Sequence, residues 1–455
     1  MDKVIQFEPT KEYLEKFREA LENKDDSFIG ESLDGVNSAD ITMLLEELNA
    51  EESKYVVDLL EKEVGSQIIK DLDSETRSKF LKIFQPVEIA GFVDLMDSDD
   101  AADIFNEMPA QIREEVIAAL ENEEKATYIL DLLRYEDDVA GGLMAKELIR
   151  ANENWTIKQC IEEIRRQREN VQKVYSVYVV DNKDRLKGRV SLKKLILTDD
   201  NGKVEDIYDE EIISVETYMP KEEVAAVIQK YDLETVPVVN VKGRLVGRIT
   251  VDDIIDVITE QAEEERQLMA GISEDVEEDD SIWMLTRARL PWLVVGLAGG
   301  MIGAQFIQIF EEDLIKVTAI AFFIPLIMAT GGNVGIQSSA LIVQSLASPS
   351  AFMASTFNRL TKIFFVAIIN GLFLSILVFL MIYLINDTDT ELSFVVSIAL
   401  FSVVFLASFL GTLIPILLHK MGINPALASG PFITTTIDLL GLAVYFLVAH
   451  LLYNP

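Results

Sequence analysis

One carboxylate, Asp438, interrupts an otherwise uncharged stretch that runs from Met421 to the end of the chain. Counted from Pro425 at ~1.5 Å per helical residue, Asp438 lies ~20 Å along that stretch, near the middle of a ~30 Å hydrocarbon layer. An ionised carboxylate at this depth costs at least ~2.5 kcal/mol, and such residues are functional by default. With the hydroxyl of Thr434 one turn away, the pattern favours contact with a cation or with water. A protonated Asp438 buried between helices is the alternative.

A second polar stretch, ATGGNVGIQSSA at residues 329–340, lies inside another long uncharged run. Gly, Asn, Gln and Ser are poor neighbours for lipid, and irregular backbone at membrane depth is tolerated only beside protein or water. Gly332 and Asn333 therefore predict a pore wall that offers carbonyl and amide oxygens. A tight helix–helix contact through small residues is the other interpretation, and the two are compatible.

The acidic residues are concentrated in the first part of the chain. Of 76 acidic and 40 basic residues, only seven and six follow Trp283, so residues 1–282 carry a formal charge of −35 out of a total of −36. Such a charge disfavours nucleic acid as a partner and favours divalent cations. One dense group, Asp97 to Asp103, begins a predicted helix and is equally well explained by N-capping.

Several classes of protein are disfavoured by composition. The single cysteine, Cys160, excludes an intramolecular disulfide and is typical of a reducing compartment. Two histidines are too few for a His-based zinc or iron site. The absence of a Walker-type phosphate loop disfavours an ATP-driven pump, and we expect no enzymatic activity. The N-terminal residues have no apolar core and do not predict a secretory signal.

Four regions must position the residues described above. Residues 1–138 show apolar residues at helical spacing between recurrent turn signals, which predicts an all-α superhelical domain. Residues 139–258 contain a repeat, since RLKGRVSLKKLI and RLVGRITVDDII align without gaps. Each copy is typical of strand, turn, strand and helix, which predicts an α/β pair. Residues 259–286 predict an acidic connecting, plug-like helix, and residues 287–455 predict a membrane domain of five helices.

The repeat resembles a pair of CBS domains, which commonly bind adenosyl ligands. In that family a Thr/Ser-x-x-Asp element often holds the ribose, and Thr250 with Asp253 fits the element. The first copy has Ser191 and Lys194 at these positions. The resemblance therefore implies one nucleotide site, with ATP as the candidate ligand. A pair that serves only structure or dimerisation is the alternative.

Basic residues flank the apolar stretches on one side only. If the acidic region is cytosolic, the positive-inside rule is met by five bases on that side, namely Arg287, Arg289, Arg359, Lys362 and Lys420. The acidic loops around Glu311 and Glu391 then lie outside. Five spans predict a multi-pass protein of the plasma membrane with a cytosolic N-terminus and an external C-terminus.

Magnesium suits the predicted oxygen ligands, because it is a hard cation that one or two carboxylates often hold through its own waters. Five spans with one polar face are few to enclose a pore, and a two-fold axis is the simplest way to close one. We therefore expect a homodimer in the lipid bilayer that conducts magnesium. The alternative is a CBS-regulated secondary transporter that moves another divalent cation, such as cobalt or manganese, by alternating access.

Taken together, the sequence resembles the MgtE family of magnesium channels over essentially its whole length. The order of domains and the motifs RLPWL, TGGNVGIQSS, NPAL and the final-span Asp before LLGL carry the resemblance. It implies a homodimer with Asp438 at a hydrated-ion site on the axis, and a cytosolic sensor that closes the pore when magnesium bridges its acids. The sensor acids implied by motif position are Asp99, Asp103, Asp232, Asp253, Asp256 and Glu264. Gln261 and Asn424 stand where the family pattern has an acid.

Overall fold

The computed structural model describes residues 10–168, 170–171, 173–273, 276, 280–311, 317–347, 356–385, 390–428 and 430–453. The chain divides into two compact units, Met1–Val257 and Ile258–Pro455, and each is described by itself. Most of the predicted outer loops, residues 312–316 and 386–389, lie outside the described residues.

The first unit begins with a purely helical region, as predicted. Its helices are short, and side chains that precede them bond their first N–H groups: Asp25 accepts from Phe28 N–H, and Asn49 accepts from the N–H groups of Glu51 and Glu52. The apolar faces pack into one core around residues such as Phe17 and Phe105. The described helices are α1 (Lys11–Asn23), α2 (Asp26–Leu33), α3 (Ser38–Glu46), α4 (Ala50–Leu59), α5 (Lys62–Asp71), α6 (Ser74–Leu81), α7 (Pro86–Val93), α8 (Ser98–Glu107), α9 (Ala110–Ala119) and α10 (Glu123–Leu132).

Two three-stranded sheets with the same topology follow. In each sheet the first strand pairs parallel with the second, and the second pairs antiparallel with the third. Gly188 lies opposite Val179 and Gly247 lies opposite Val238, and a register shift follows both pairs. The aligned residues of the two repeats thus occupy equivalent places, and the predicted α/β pair is confirmed. The strands are β1 (Ile149–Asn152), β2 (Val177–Val180), β3 (Leu186–Val190), β4 (Val215–Glu216), β5 (Thr235–Val239) and β6 (Leu245–Thr250); the helices are α11 (Ile157–Arg166), α12 (Leu192–Leu197) and α13 (Lys221–Tyr231).

The acidic connecting segment is helical over a different range from the predicted one. Its helix, α14 (Val251–Ala270), begins directly after β6 and ends well before residue 286. Gly271 lies in the left-handed region of the backbone, with a φ of +81°. Glycine adopts this conformation at low cost, and it commonly terminates a helix. The N–H groups of Gly271 and Ile272 close the helix end on the carbonyls of Leu268 and Gln267.

The second unit contains five helices that are long and apolar enough to span a membrane, among the described residues. This confirms the predicted helical membrane domain of five spans. The second span begins with a 3₁₀ turn, Thr318–Phe323, and the last begins with another, Pro425–Ala428. The helices are α15 (Ile282–Ile309), α16 (Ile324–Ala347), α17 (Thr356–Ile385), α18 (Thr390–Lys420) and α19 (Gly430–Tyr453).

Candidate cation sites

Asp438 lies on α19, one turn after Thr434, and its side chain is half-buried. The hydroxyls of the threonines before it donate to backbone carbonyls of the preceding turn: Thr434 Oγ1 lies 3.1 Å and Thr435 Oγ1 lies 2.7 Å from the oxygen of Pro431. Because each proton is engaged, each hydroxyl oxygen keeps lone pairs that can accept from water or contact a cation. The turn therefore offers a carboxylate and hydroxyl oxygens, the ligand type that hard cations prefer.

Glycines on two neighbouring helices hold α19 in place. A Cβ added to Gly299 on α15 would lie 2.0 Å from Thr435 Cγ2, and a Cβ added to Gly335 on α16 would lie 1.9 Å from Ile437 Cδ1. Both distances are far inside van der Waals contact, so no larger residue fits without moving a helix. The small residues therefore determine how α19 is turned and which way Asp438 faces.

The polar stretch of α16 lies beside the threonines of α19. Gly332 is buried, and a Cβ added there would lie 3.5 Å from Thr434 Cγ2, so the structure brings these two candidate residues together. Asn333, the next residue, is exposed. Gln337, one turn later, is also exposed and was missed by the sequence prediction, although two amides at i and i+4 in an uncharged span are a readable signal.

The backbone carbonyls that this stretch was predicted to offer lie in regular helix. Residues 324–347 form one unbroken helix, in which each interior carbonyl is bonded four residues onward. Each glycine lowers helix propensity by only ~1 kcal/mol relative to alanine. Close packing of α16 against α19 offsets this cost, so the segment stays helical. The exposed side-chain amides of Asn333 and Gln337 offer oxygens that lie outside the helix backbone.

In the first unit, a cavity of about 90 Å³ brings together acids from distant parts of the chain. Asp99 comes from the first turn of α8 and Asp253 from the first turn of α14. Five aspartates and three bases contribute to the lining, which leaves a formal charge of −2. These charged residues are Asp97, Asp99, Asp100, Asp252, Asp253, Lys70, Lys173 and Arg248.

The electrostatics of this cavity are unfavourable for the carboxylates of Asp99 and Asp253. Asp99 is only 8% exposed, and burial, followed by the charges of Asp100 and Asp253, raises its pKa well above the usual range. Burial also raises the pKa of Asp253 to about 6, although its Oδ2 accepts hydrogen bonds from the hydroxyl and N–H of Thr250 at 2.6 and 3.1 Å. Lys70 Nζ, 2.9 Å from Asp100, relieves part of the repulsion. A further cation would be favoured here.

N-capping does not explain the acidic group at the start of α8. Asp97 occupies the cap position, but its side chain makes no capping hydrogen bond. Its Oδ2 instead accepts from Arg248 Nη2 on β6 at 3.2 Å. The sequence prediction did not include Lys70, Lys173 or Arg248, because the bases that balance a carboxylate through space carry no local pattern.

The remaining sensor candidates do not line this cavity. Asp103 is exposed further along α8, Asp256 is exposed on α14, and Glu264 is exposed in the second half of α14. Asp232 ends α13 in the left-handed region with a φ of +52°, a position where Asp is tolerated for backbone reasons alone. In the described part of the chain, no three His, Cys, Asp or Glu side chains are arranged as a ready-made metal site.

The candidate nucleotide residues are also found in the cavity. The hydroxyl of Thr250 donates to the carboxylate of Asp253. The volume of the cavity, about 90 Å³, is well below the ~300–1,000 Å³ of ordinary ligand pockets. At the equivalent place in the first repeat, Ser191 accepts from Lys194 N–H, and Lys194 Nζ pairs with Asp209 at 2.5 Å.

Three regions of the chain match known families. Residues 36–138 match the "MgtE intracellular N domain", residues 139–199 and 204–260 match the "CBS domain", and residues 324–448 match the MgtE family described as "Divalent cation transporter". These ranges together cover most of the sequence, and they follow the order that the sequence predicts.

Relatives that match most of the chain agree with these family matches. The chain is 38% identical over 323 residues to magnesium transporter MgtE of Thermus thermophilus, covering 70% of this chain and 71% of that protein. It is 33% identical over 355 residues to magnesium transporter MgtE of Bacillus subtilis, covering 78% of each. A crystal structure of the cytosolic domain of the Mg²⁺ channel MgtE in complex with ATP is similar at a TM-score of 0.50 and 33% identity, over 54% of this chain and 99% of that one.

Proposed function

The chain belongs to the MgtE family, and on this basis we propose that it conducts magnesium ions across the plasma membrane into the cytosol. The observation that carries the proposal is Asp438, a half-buried carboxylate within the last membrane span, next to the hydroxyl oxygen of Thr434. Magnesium keeps several of its waters when proteins bind it. A carboxylate with neighbouring hydroxyls would therefore hold the hydrated ion without stripping it.

We propose that two copies of the chain enclose the pore. Asn333 and Gln337 on α16 are exposed, although α16 is a membrane span. Polar groups that face lipid are costly, and they are tolerated beside protein or a water-filled cavity. A second copy related by a two-fold axis would cover this face and double Asp438.

We propose that the acidic region senses cytosolic magnesium through Asp99 and Asp253. Both carboxylates line one cavity of formal charge −2, which one divalent cation would neutralise. An ion there would hold α8 of the N-terminal helices against α14 of the second repeat. The exposed candidates Asp103, Asp232, Asp256 and Glu264 would add further ions, because a switch from 1:99 to 99:1 needs ~5.5 kcal/mol of differential binding.

A route from the sensor to the pore is available along α14. Asp253 lies in its first turn, and its last residues contact the start of α19: a Cβ on Gly430 would lie 2.6 Å from the carbonyl oxygen of Met269, and a Cβ on Gly271 would lie 2.6 Å from Pro431 Cγ. Contacts this close transmit small displacements, because packed elements deform little. A shift of α14 would therefore move the helix that carries Asp438 and close the pore.

ATP is a second candidate ligand of the CBS pair, since one similar structure contains it. Thr250 and Asp253 would reach a ribose only in a wider cavity, because about 90 Å³ cannot hold a nucleoside. We therefore assign Asp253 primarily to the cation.

The test of the proposed function is uptake by the purified protein in liposomes, with magnesium absent from or present in the compartment that faces residues 1–282. We expect fast magnesium entry that internal magnesium suppresses. Entry that requires exchange for an internal ion, or that is equally fast for cobalt and manganese but absent for magnesium, would favour the secondary transporter.

Replacing Gly332 with leucine should lower magnesium flux about tenfold or more, which corresponds to ~1.4 kcal/mol. Its Cβ alone would already contact Thr434 Cγ2 at 3.5 Å, so the added carbons would fill the space beside the candidate ion site. Asn333→Leu should lower the flux as well, by removing an amide oxygen. Gly300→Leu is the matched control, because Gly300 is an exposed glycine of α15 and a Cβ added there would meet no atom within 4 Å. Wild-type flux in Gly332→Leu would restrict this stretch to helix packing.

Cysteine labelling tests the proposed orientation of the spans. Glu391 and Lys420 lie at opposite ends of α18, so we expect a cysteine at 391 to react with an impermeant maleimide in intact cells and a cysteine at 420 to react only after permeabilisation. The native Cys160 is fully buried, which keeps the background low. External labelling at 420 would reverse the orientation.

A further inference from the structure

The N-terminal end of α8 rests on residues of the CBS pair through direct hydrogen bonds. We term the four residues Asp97, Ser98, Glu147 and Arg248 the α8 seat. Glu147 Oε2 accepts from both Ser98 N–H and Ser98 Oγ, at 3.1 and 2.7 Å. Arg248 Nε donates to the backbone oxygen of Glu147 at 2.7 Å, and Arg248 Nη2 donates to Asp97 Oδ2 at 3.2 Å. The seat therefore joins α8 to the segment before β1 and to strand β6.

The seat also supplies the cap that α8 does not supply for itself. The side chain of Asp97 accepts no hydrogen bond from an N–H of the helix. The N–H of Ser98 instead donates to Glu147, which lies 49 residues after Ser98 in the sequence. A carboxylate is favoured at this end of a helix by the free N–H groups and by the helix dipole. The first turn of α8 is thus completed only when α8 lies on the CBS pair.

Three of the four residues of the seat are buried, which makes their hydrogen bonds important. Ser98 is 0% exposed, Glu147 is 4% exposed and Arg248 is 6% exposed. Removing one partner from a buried, charged network leaves the other desolvated and unpaired, which is costly. Within the described residues, Glu147 Oε1 is already buried without a hydrogen-bond partner. Loss of Ser98 Oγ would therefore leave the Glu147 carboxylate with fewer partners and no access to water that could replace them.

We propose that Ser98, Glu147 and Arg248 are positioning residues of the magnesium sensor: they seat α8 so that Asp99, the next residue, faces Asp253 across the cavity. This inference rests on the proposed function and deepens it. Asp99 and Asp253 repel each other. Without the seat, the ion would have to bring the two carboxylates together and also orient them. The seat aligns them through uncharged and oppositely charged contacts, and the ion then binds a site whose geometry is already set.

The experiment is limited proteolysis of the full-length protein across a magnesium titration, with uptake measured in parallel. Ser98→Ala removes only the hydroxyl, and with it the bond to Glu147 and the bond from Lys146 N–H at 2.9 Å. We expect the magnesium concentration for half-maximal protection to rise about fivefold to tenfold, the order expected when these buried hydrogen bonds are lost. Protection at saturating magnesium and uptake by the open channel should remain at the wild-type level.

Ser66→Ala is the matched control, because Ser66 is 1% exposed and its Oγ bonds Phe92 oxygen at 3.0 Å inside the helical region alone. It should lower the melting temperature as Ser98→Ala does, without moving the magnesium midpoint. Glu147→Gln keeps an acceptor oxygen and should shift the midpoint less than Glu147→Ala. Equal midpoints in Ser98→Ala and the wild type, or equal shifts in Ser98→Ala and Ser66→Ala, would overturn the inference. A wild-type protein without any magnesium-dependent protection would instead overturn the proposed sensor.

Discussion

Replacing Asp438 with asparagine should slow magnesium uptake into proteoliposomes at least about 100-fold, equivalent to ~2.7 kcal/mol. Asparagine keeps the shape and one oxygen but removes the charge that attracts a divalent cation to the middle of the membrane. The free energy of attraction between the carboxylate and the ion, which the substitution removes, is of the same order as the ~2.5–3.5 kcal/mol cost of placing a charge at that depth. Uptake of magnesium by liposomes of matched protein content is the measurement.

The control for lost charge is Glu391→Gln, which removes an exposed carboxylate at the start of α18. It should leave uptake within about twofold of wild type, because salt screens the field of an exposed charge. The Asp438→Asn protein should also fold and assemble at least as well as the wild type, since an intramembrane charge is costly to bury. Undiminished uptake by a correctly assembled Asp438→Asn protein would remove Asp438 from the ion pathway.

Neutralising both central acids of the cavity, in Asp99→Asn with Asp253→Asn, should abolish the magnesium dependence of closure. The cavity would change from a formal charge of −2 to zero, so neither repulsion nor attraction for a divalent cation would remain. Each single substitution should raise the closing concentration about tenfold, because it removes an ion ligand and leaves other acids in place. Protease protection of residues 1–282 and channel closure, both titrated with magnesium, are the readouts.

Asp58→Asn serves as the control for this pair, because Asp58 is an exposed acid on α4 that does not line the cavity. Its closing concentration should equal that of the wild type. If the double variant still closes at the wild-type concentration, the cavity is not the sensor, and the exposed acids such as Asp256 and Glu264 would carry the response by themselves.

Much of the architecture follows from local patterns in the sequence. Five long apolar stretches predict five spans, because a helix must bury its side chains in lipid over a fixed thickness. The aligned copies RLKGRV and RLVGRI predict two equivalent sheets, since the same alternation of residues pairs in the same register. Asp438 is predicted for the same reason: one charge in an apolar stretch is conspicuous without any knowledge of its neighbours.

The tertiary structure alone decided which residues meet. Asp99 and Asp253 share a cavity although more than 150 residues separate them in sequence, and Lys70 and Arg248 balance their charge from two further elements. Helix-capping preference correctly begins α8 near Asp97, but it cannot reveal that this carboxylate turns to Arg248 while Glu147 caps the helix. The polar stretch of α16 is helical because close packing against α19 accommodates its glycines. Composition and periodicity report the short-range terms, whereas desolvation, charge balance and packing depend on neighbours that only the fold brings together.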